Sequence, residues 1–354
     1  MIVPFFISHL GCPHQCLFCN QKSITGVAQP LPSPETIHST IADFSAISPE
    51  KPVEVAFFGG TFTMLPPVDQ ERLLGPLQPL MLSGKVSAVR ISTRPDAIDV
   101  DSVAFLERHG VRTVELGVQS FDHEVLVASK RGHTASDVSS AVAILHAAGL
   151  SVGIQLMPGL PSSSPEKDIA SIDQAVDLAP DFLRIYPSLV LAGTGLARLY
   201  ESGAYRPLSL EAAVSLCAAM LHRCLRANLP VIRMGLQASD ALEEPGNILA
   251  GPYHPAFRQL VESELCYYLL SRLANVPIPA TKCVVRCAPS RVSDVAGQRR
   301  ANLERLAATG TMVERIEGDA SLSPMELILL SAESERRGNL HNDLQFDHEG
   351  KLYV

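Results

Sequence analysis

Between residue 2 and about residue 190, short runs of β-branched and aromatic residues alternate with segments whose apolar positions recur every three or four residues. That alternation predicts repeated strand–helix units and a parallel sheet. Six strands are expected, at Val3–Ser8, Val53–Gly59, Val86–Thr93, Thr113–Ser120, Ser151–Met157 and Phe182–Leu189. The clearest helix starts at Thr134, whose hydroxyl suits an N-cap. It carries Val138, Ala141, Val142 and Leu145 on one face and stops at Gly149.

Side chains alternate across a strand, so each strand divides into two faces. In the third, Val89, Ile91 and Thr93 oppose Arg90, Ser92 and Arg94; in the fourth, Val114, Leu116 and Val118 oppose Glu115, Gly117 and Gln119. In the fifth, Val152, Ile154 and Leu156 oppose Gly153, Gln155 and Met157, and the sixth sets Arg184 and Tyr186 on its more polar side. A parallel sheet covered on both faces reads as nearly continuous apolar runs, and these strands do not. A polar face repeated strand after strand predicts a curved sheet or partial barrel around a polar cavity. Helices then lie outside, and the active site lies near the carboxyl ends of the strands.

Beyond about residue 207 the pattern changes to a long Leu- and Ala-rich helix, Ser209–Ala227, followed by shorter mixed segments. Pro230 and the Gly235–Gly251 stretch read as linker or cover, and the alternation from Lys282 to Val354 suits a small α+β module. The expected division is a core over residues 1–205 and a helical linker with an accessory α+β region over 206–354. A chain of 354 residues has ample length for both.

The opening Met-Ile-Val-Pro-Phe-Phe-Ile segment lacks a basic flank and is broken by Pro4, so it reads as a strand and not as a targeting signal. No stretch is long enough to span a bilayer, and no membrane partner is expected. Eight cysteines without a secretory signal imply reduced thiols and a cytoplasmic setting. A net charge of −8 gives no global attraction for nucleic acid and leaves only a local basic patch, for which Arg286, Arg291, Arg299 and Arg300 are the candidates.

Cys12, Cys16 and Cys19 stand in the run Gly-Cys-Pro-His-Gln-Cys-Leu-Phe-Cys-Asn. Three thiolates on one short loop are one fewer than a closed four-iron cluster takes. One iron would stay open to an incoming ligand, as the unfilled position of a catalytic zinc does. On the triplet alone, zinc or plain buried thiols remain the alternative, with Cys283 and Cys287 as a second pair. Two ligands there are too few for a separate metal site.

The triplet, with an aromatic residue before its last cysteine, resembles the signature of the radical S-adenosylmethionine (SAM) superfamily. Four further segments add to it: Ala56–Thr63 (AFFGGTFT), Ile91–Asp96 (ISTRPD), Glu115–Asp122 (ELGVQSFD) and Ser129–Thr134 (SKRGHT). Together they resemble the radical SAM domain of the Elongator catalytic-subunit family, especially its short bacterial members, over most of residues 2–205. The resemblance implies an α/β fold, a partial (β/α)6 TIM-like barrel with a C-terminal accessory region. It implies a 4Fe-4S cluster on Cys12, Cys16 and Cys19 whose open iron is chelated by the amino and carboxylate groups of SAM. Reductive cleavage of SAM then gives a 5′-deoxyadenosyl radical, and a reductant such as flavodoxin or ferredoxin supplies the electron.

The same resemblance places Phe18 beside the adenine, and Gly59, Gly60 and Thr61 at the methionyl amino group. Ser92 and Arg94 lie on a strand that faces the ribose, while Gln119 and Arg131 contact SAM, Arg131 through a charge-assisted bond to the carboxylate. Ser92 stands where relatives carry Glu and supplies a hydroxyl but no anion. No residue is assigned to the substrate step, because substrate choice falls to variable loops. His14, His133 and His254 read as loop or helix-start residues, and Cys217 and Cys224, seven apart on one helical face, read as core.

Full-length relatives modify wobble uridines of transfer RNA and carry a fused acetyltransferase domain. No acetyl-coenzyme-A signature follows residue 205, so acetyl transfer is not expected, and transfer RNA stays a candidate substrate. The alternatives are a porphyrin- or heme-directed enzyme, which would share the Gln119 and Arg131 pattern, and a non-enzymatic metal- or RNA-binding module.

Overall fold

The strands expected from the alternation form one parallel sheet. In the computed structural model they are β1 Ile2–Phe6, β2 Val53–Phe58, β3 Val86–Thr93, β4 Val111–Gln119, β5 Ser151–Leu156 and β6 Phe182–Ile185, lying side by side in chain order. The structure describes residues 1–21, 31–47, 50–274, 282–332 and 334–353. Val354, the far end of the expected accessory module, lies outside them. After the short β7, Val190–Leu191, the chain adds a seventh strand to the sheet, β8 Val231–Met234, against β6.

Register slips by one residue at Val53/Glu54, Val89/Arg90, Gly117/Gln119 and Leu183/Arg184. Such staggering is what closing a sheet toward a barrel requires, and the seven strands curl into a half-barrel. Its convex face is the apolar one: Val55, Phe57, Val89, Ile91, Val114, Leu116, Val152 and Ile154 are buried. They share one core with Ile37 and Ile41 of helix Pro34–Ile47, Val103 and Leu106 of helix Val100–Arg108, and Ile169 and Ile172 of helix Pro165–Asp177. Each such side chain contributes about 1.5–3 kcal/mol relative to exposure.

Helix Ala135–Ala147 begins as its sequence demands. The Thr134 hydroxyl accepts from the Asp137 amide at 3.3 Å while the Asp137 carboxylate accepts from the Thr134 amide at 2.7 Å, a reciprocal cap of about 1 kcal/mol. Val138, Ala141, Val142 and Leu145 are its buried face. Helix Leu210–Arg226 buries Cys217 and Cys224 between helices Pro165–Asp177 and Phe257–Ala274.

Strand β9, Ile248–Ala250, pairs with β7 as a small antiparallel flap. The last part is an α+β layer: β10 Lys282–Cys287, β11 Met312–Gly318, β12 Glu326–Leu330 and β13 Glu335–Asn339, in the order β11-β10-β12-β13. It packs on helix Phe257–Ala274 and buries Cys283 and Cys287. Of the four arginines read as a basic patch, two are committed elsewhere. Arg286 bonds Glu317 at 3.0 Å, and Arg291 bridges Glu262 and Asp294 at 2.8 and 2.9 Å. Arg299 and Arg300 remain exposed. No helix among the described residues is long and apolar enough to cross a membrane.

Candidate functional site

The concave face, at the carboxyl ends of the strands, holds a cavity of about 1200 Å³. That volume admits a ligand larger than most drug-sized molecules. Cys12, Cys16, Phe18, Cys19, Gly59, Gly60, Thr61, Ser92, Arg94, Gln119 and Arg131 all line it, so residues scattered over 120 positions of sequence reach one space.

The cysteine loop is braced from several sides. The Thr61 amide donates to the Leu10 carbonyl at 2.8 Å, the Leu17 amide to Ser129 at 3.1 Å, and the Leu196 amide to the Leu17 carbonyl at 2.7 Å. Gln21 ties the loop to the glycine turn after β2, its Oε1 accepting from the Gly60 amide at 2.9 Å and the His9 amide at 2.5 Å. Gly60 sits at φ +61°, and a Cβ there would lie 2.4 Å from the Leu10 carbonyl oxygen. Only glycine permits both the angle and the approach.

Cys16 is buried, and its sulfur accepts from Arg131 Nη1 at 3.2 Å. Cys12 Sγ lies 3.5 Å from the Thr61 hydroxyl. The Cys19 thiol is pushed up to about 12, first by burial and then by the nearby sulfurs of Cys16 and Cys12, with Arg131 opposing. Ligating thiols must lose their protons, so ionising the Cys19 thiol in this place calls for positive charge close to its sulfur. Three thiols on one loop, facing a cavity with a guanidinium beside them, fit an iron-sulfur cluster with one open iron. Among the described residues no three His, Cys, Asp or Glu side chains are gathered as a single-ion site.

Arg131 is buried, its Nη2 donates to the Gly117 carbonyl, and its Nε has no partner among the described residues. Gln119, at φ +72°, sits in the β4 bulge, a conformation costly for a residue with a side chain. Its Oε1 accepts from Gln155 Nε2 at 3.0 Å. Gly117 lies beneath the pair: a Cβ there would be 2.9 Å from Arg131 Nη2 and 3.0 Å from Gln119 Nε2.

Other expected residues are placed differently from this group. Arg94 is buried and bonds Asp96 twice, at 2.9 and 2.8 Å, which leaves it less of its fork for a ligand. Phe18 is half-buried against Val190, Leu196, Ala197 and Tyr205. His133 is buried with neither ring nitrogen bonded among the described residues, and burial, then Arg131 and Arg94, push it down to about 3, so it is neutral. His14 packs over Gly132, and His254 Nδ1 accepts from the Ala256 amide at 3.0 Å.

The floor of the cavity holds a charge relay that the sequence did not assign. Arg90 bonds Glu54 through Nε and Nη2 at 3.1 and 3.2 Å and Glu115 through Nη1 at 2.8 Å, and Glu115 in turn accepts from Arg184 at 2.8 Å. The face alternation puts Arg90, Glu115 and Arg184 on the inner side, and Glu54 joins them there, opposite Val55 and Phe57 of its own strand. Their pairing depends on register across β2, β3, β4 and β6, which no local pattern encodes.

The model of the radical SAM superfamily matches residues 6–175, and that of the Radical_SAM C-terminal domain matches residues 180–266. A tRNA uridine(34) acetyltransferase of Dehalococcoides mccartyi is 29% identical over 232 residues, which is 56% of this chain and 50% of that protein. Elongator complex protein 3 of Saccharomyces cerevisiae is 33% identical over 190 residues, 48% of this chain and 34% of the relative. The chain thus spans half or less of the length of these curated relatives. The solved structure of archaeal Methanocaldococcus infernus Elp3, lacking residues 1–46, aligns with a TM-score of 0.58 at 24% identity, covering 75% of this chain and 62% of that one. That likeness shows a shared fold.

Proposed function

The chain is a member of the radical SAM superfamily, and we propose that Cys12, Cys16 and Cys19 hold a 4Fe-4S cluster beside a SAM site in the same cavity. The observation that carries this reading is the meeting of three thiols, the Gly59–Thr61 turn and the Gln119–Arg131 pair around one space. When bound, the cluster supplies the electron that cleaves the sulfonium C–S bond of SAM, giving a 5′-deoxyadenosyl radical that takes a hydrogen from substrate.

Each residue's part follows from its chemistry. Arg131 brings an unpartnered Nε and a full charge, suited to the SAM carboxylate. The glycine turn keeps backbone close to the amino group, with Thr61 closing its end. Gln119, oriented by Gln155, and Ser92 offer neutral hydrogen-bonding groups for the ribose. Phe18 offers a flat apolar face for the adenine. Arg94 holds the turn after β3 through Asp96 and supports the ribose side from behind. The radical chemistry is assigned to residues 1–205, closed at the sheet edge by β8, and substrate capture to that open edge together with residues 206–354.

Transfer RNA is the substrate class we favour, because curated relatives are named for tRNA uridine 34 and Arg299 and Arg300 remain exposed on the accessory layer. Acetyl transfer is left out of the proposal, since the matched stretches cover half or less of those relatives. A flavodoxin- or ferredoxin-type reductant would supply the electron. The test is 5′-deoxyadenosine formation from SAM after anaerobic reconstitution and reduction, with Cys16→Ala as control. Product that disappears with the cluster in Cys16→Ala is expected; zinc in place of iron, or cleavage independent of Cys16, would overturn the reading.

A further inference from the structure

One rung of the inner face runs Gly117, Gln155, Arg184, Arg233 across β4, β5, β6 and β8, each residue in register with the next. At roughly 4.8 Å per strand, it carries the cavity wall about 14 Å from the Arg131 clasp to the open edge of the half-barrel. Arg184 and Arg233 are therefore like charges side by side on one face, an arrangement that is unfavourable unless something negative is shared.

Glu115 supplies it for Arg184, at 2.8 Å, and among the described residues no carboxylate does so for Arg233. Glu54, Arg90, Glu115 and Arg184 balance one another within the floor relay. Arg94 is held by Asp96, and Arg131 faces the thiols. Glu115 is the sole carboxylate lining the cavity among the described residues, against four arginines. Among the described residues Arg233, exposed at the sheet edge, has one hydrogen-bond partner, the neutral Gln237, at 2.5 Å. Tyr186 lines the same wall, with burial raising its phenol and the nearby Arg184 and Arg233 opposing, and its hydroxyl can donate as well as accept.

Building on the function proposed above, we infer that Arg233, Tyr186 and Arg184 form an oxyanion subsite that anchors a phosphate or carboxylate of the substrate at the wall opposite the SAM clasp. One uncompensated guanidinium, a phenol donor and a second guanidinium whose remaining charge is steadied by Glu115 make a two- or three-point cradle for such a group. The site selects among substrates by where their negative charge lies relative to the reacting hydrogen.

The test is arginine-directed footprinting with phenylglyoxal on the cluster-bearing enzyme, mapped by peptide mass spectrometry. Inorganic phosphate, acetate and chloride are compared at equal ionic strength, with exposed Arg206 as the internal control. Phosphate or acetate is expected to slow modification of Arg233 at least fivefold and leave Arg206 unchanged. The more effective of the two identifies a phosphoester or a carboxylate. Tyr186→Phe, which leaves every floor ion pair in place, should raise the protecting concentration about tenfold, the weight of one hydrogen bond to a charged group. Equal protection by chloride, or equal protection of Arg206, overturns the subsite. Protection without any 5′-deoxyadenosine formation would support the subsite and sink the SAM assignment, whereas SAM cleavage without protection would do the reverse.

Discussion

Gly117→Ala tests the SAM clasp without touching a cysteine or a charge. The added methyl would meet Arg131 Nη2 at 2.9 Å and Gln119 Nε2 at 3.0 Å, with the Thr93 carbonyl oxygen at 3.6 Å. Gly117 is not in the left-handed region, so alanine brings no backbone strain and reduces the freedom of the unfolded chain, a gain of about 0.4–1 kcal/mol. Overpacking opposes this with about 1–3 kcal/mol, and the net loss of stability should be near 1 kcal/mol. Both crowded atoms are ends of flexible side chains, so they yield by a few tenths of an ångström. That shift takes Arg131 off the Gly117 carbonyl and out of line with a bound carboxylate. Losing one hydrogen bond to a charged group, about 1.5–3 kcal/mol, weakens binding about tenfold to a hundredfold. Anaerobic calorimetry of SAM binding to reconstituted enzyme would read this directly, beside an unchanged iron-sulfur absorption spectrum. Wild-type SAM affinity in a folded, cluster-bearing Gly117→Ala protein would refute the placement of the Gln119–Arg131 pair at SAM.

Arg131→Ala should weaken SAM by a further factor of about ten over Gly117→Ala, because the charge goes as well, and the cluster spectrum should persist. Unchanged affinity would remove Arg131 from the site. Glu115→Ala leaves Arg184 without a carboxylate and Arg90 with Glu54 alone in a mostly buried floor, and should cost about 3 kcal/mol in urea unfolding; a loss under about 0.5 kcal/mol, the range of ordinary surface substitutions, would mean the relay is only decorative. Asp168, buried beneath the Gly159–Ser163 turn, is raised to about 7 by burial despite bonds from the Ser163 hydroxyl and the Gly159 amide. Its unfolded value is about 3.9, so between about pH 4 and pH 7 the folded state holds the extra proton and stability falls as pH rises through that window. Asp168→Asn should flatten this part of the Tm profile, and a parallel profile would contradict the assignment.

The elements with local signals were legible in the sequence. Thr134 and the apolar positions after it defined helix Ala135–Ala147, and Ser209 and Ala227 bracketed helix Leu210–Arg226. The repeated polar face foretold the cavity, since alternation is a property of the single strand. What escaped was set by relations between segments. Strand β8 has four residues, two of them exposed, and carries too little periodicity to stand out. The roles of Gln21 and Gln155 arise only when the cysteine loop meets the β2 turn and when β5 lies beside β4. Arg94 looked free to face a ligand, yet the turn after β3 folds Asp96 back onto it.

A polar cavity this large has to be stable before any ligand enters it, and the floor shows how. Charges alternate in sign from Glu54 on β2 through Arg90 and Glu115 to Arg184 on β6, each contact between 2.8 and 3.2 Å. The two guanidiniums also lie over aromatic rings, Arg90 over Phe182 at 5.2 Å and Arg184 over Phe58 at 5.1 Å. Desolvation of each charge is thereby offset by its neighbour, and the floor stays neutral overall, with Arg184 alone reaching past it toward Arg233 at the open edge. Binding is pushed to the two ends of the cavity. At one, the cysteine loop, the glycine turn and Arg131 are locked together by backbone bonds that tolerate little change. At the other, Arg233 belongs to a short strand at the open edge, followed directly by loops that variation can reshape. A scaffold divided in this way holds the radical-forming chemistry constant while the substrate end evolves.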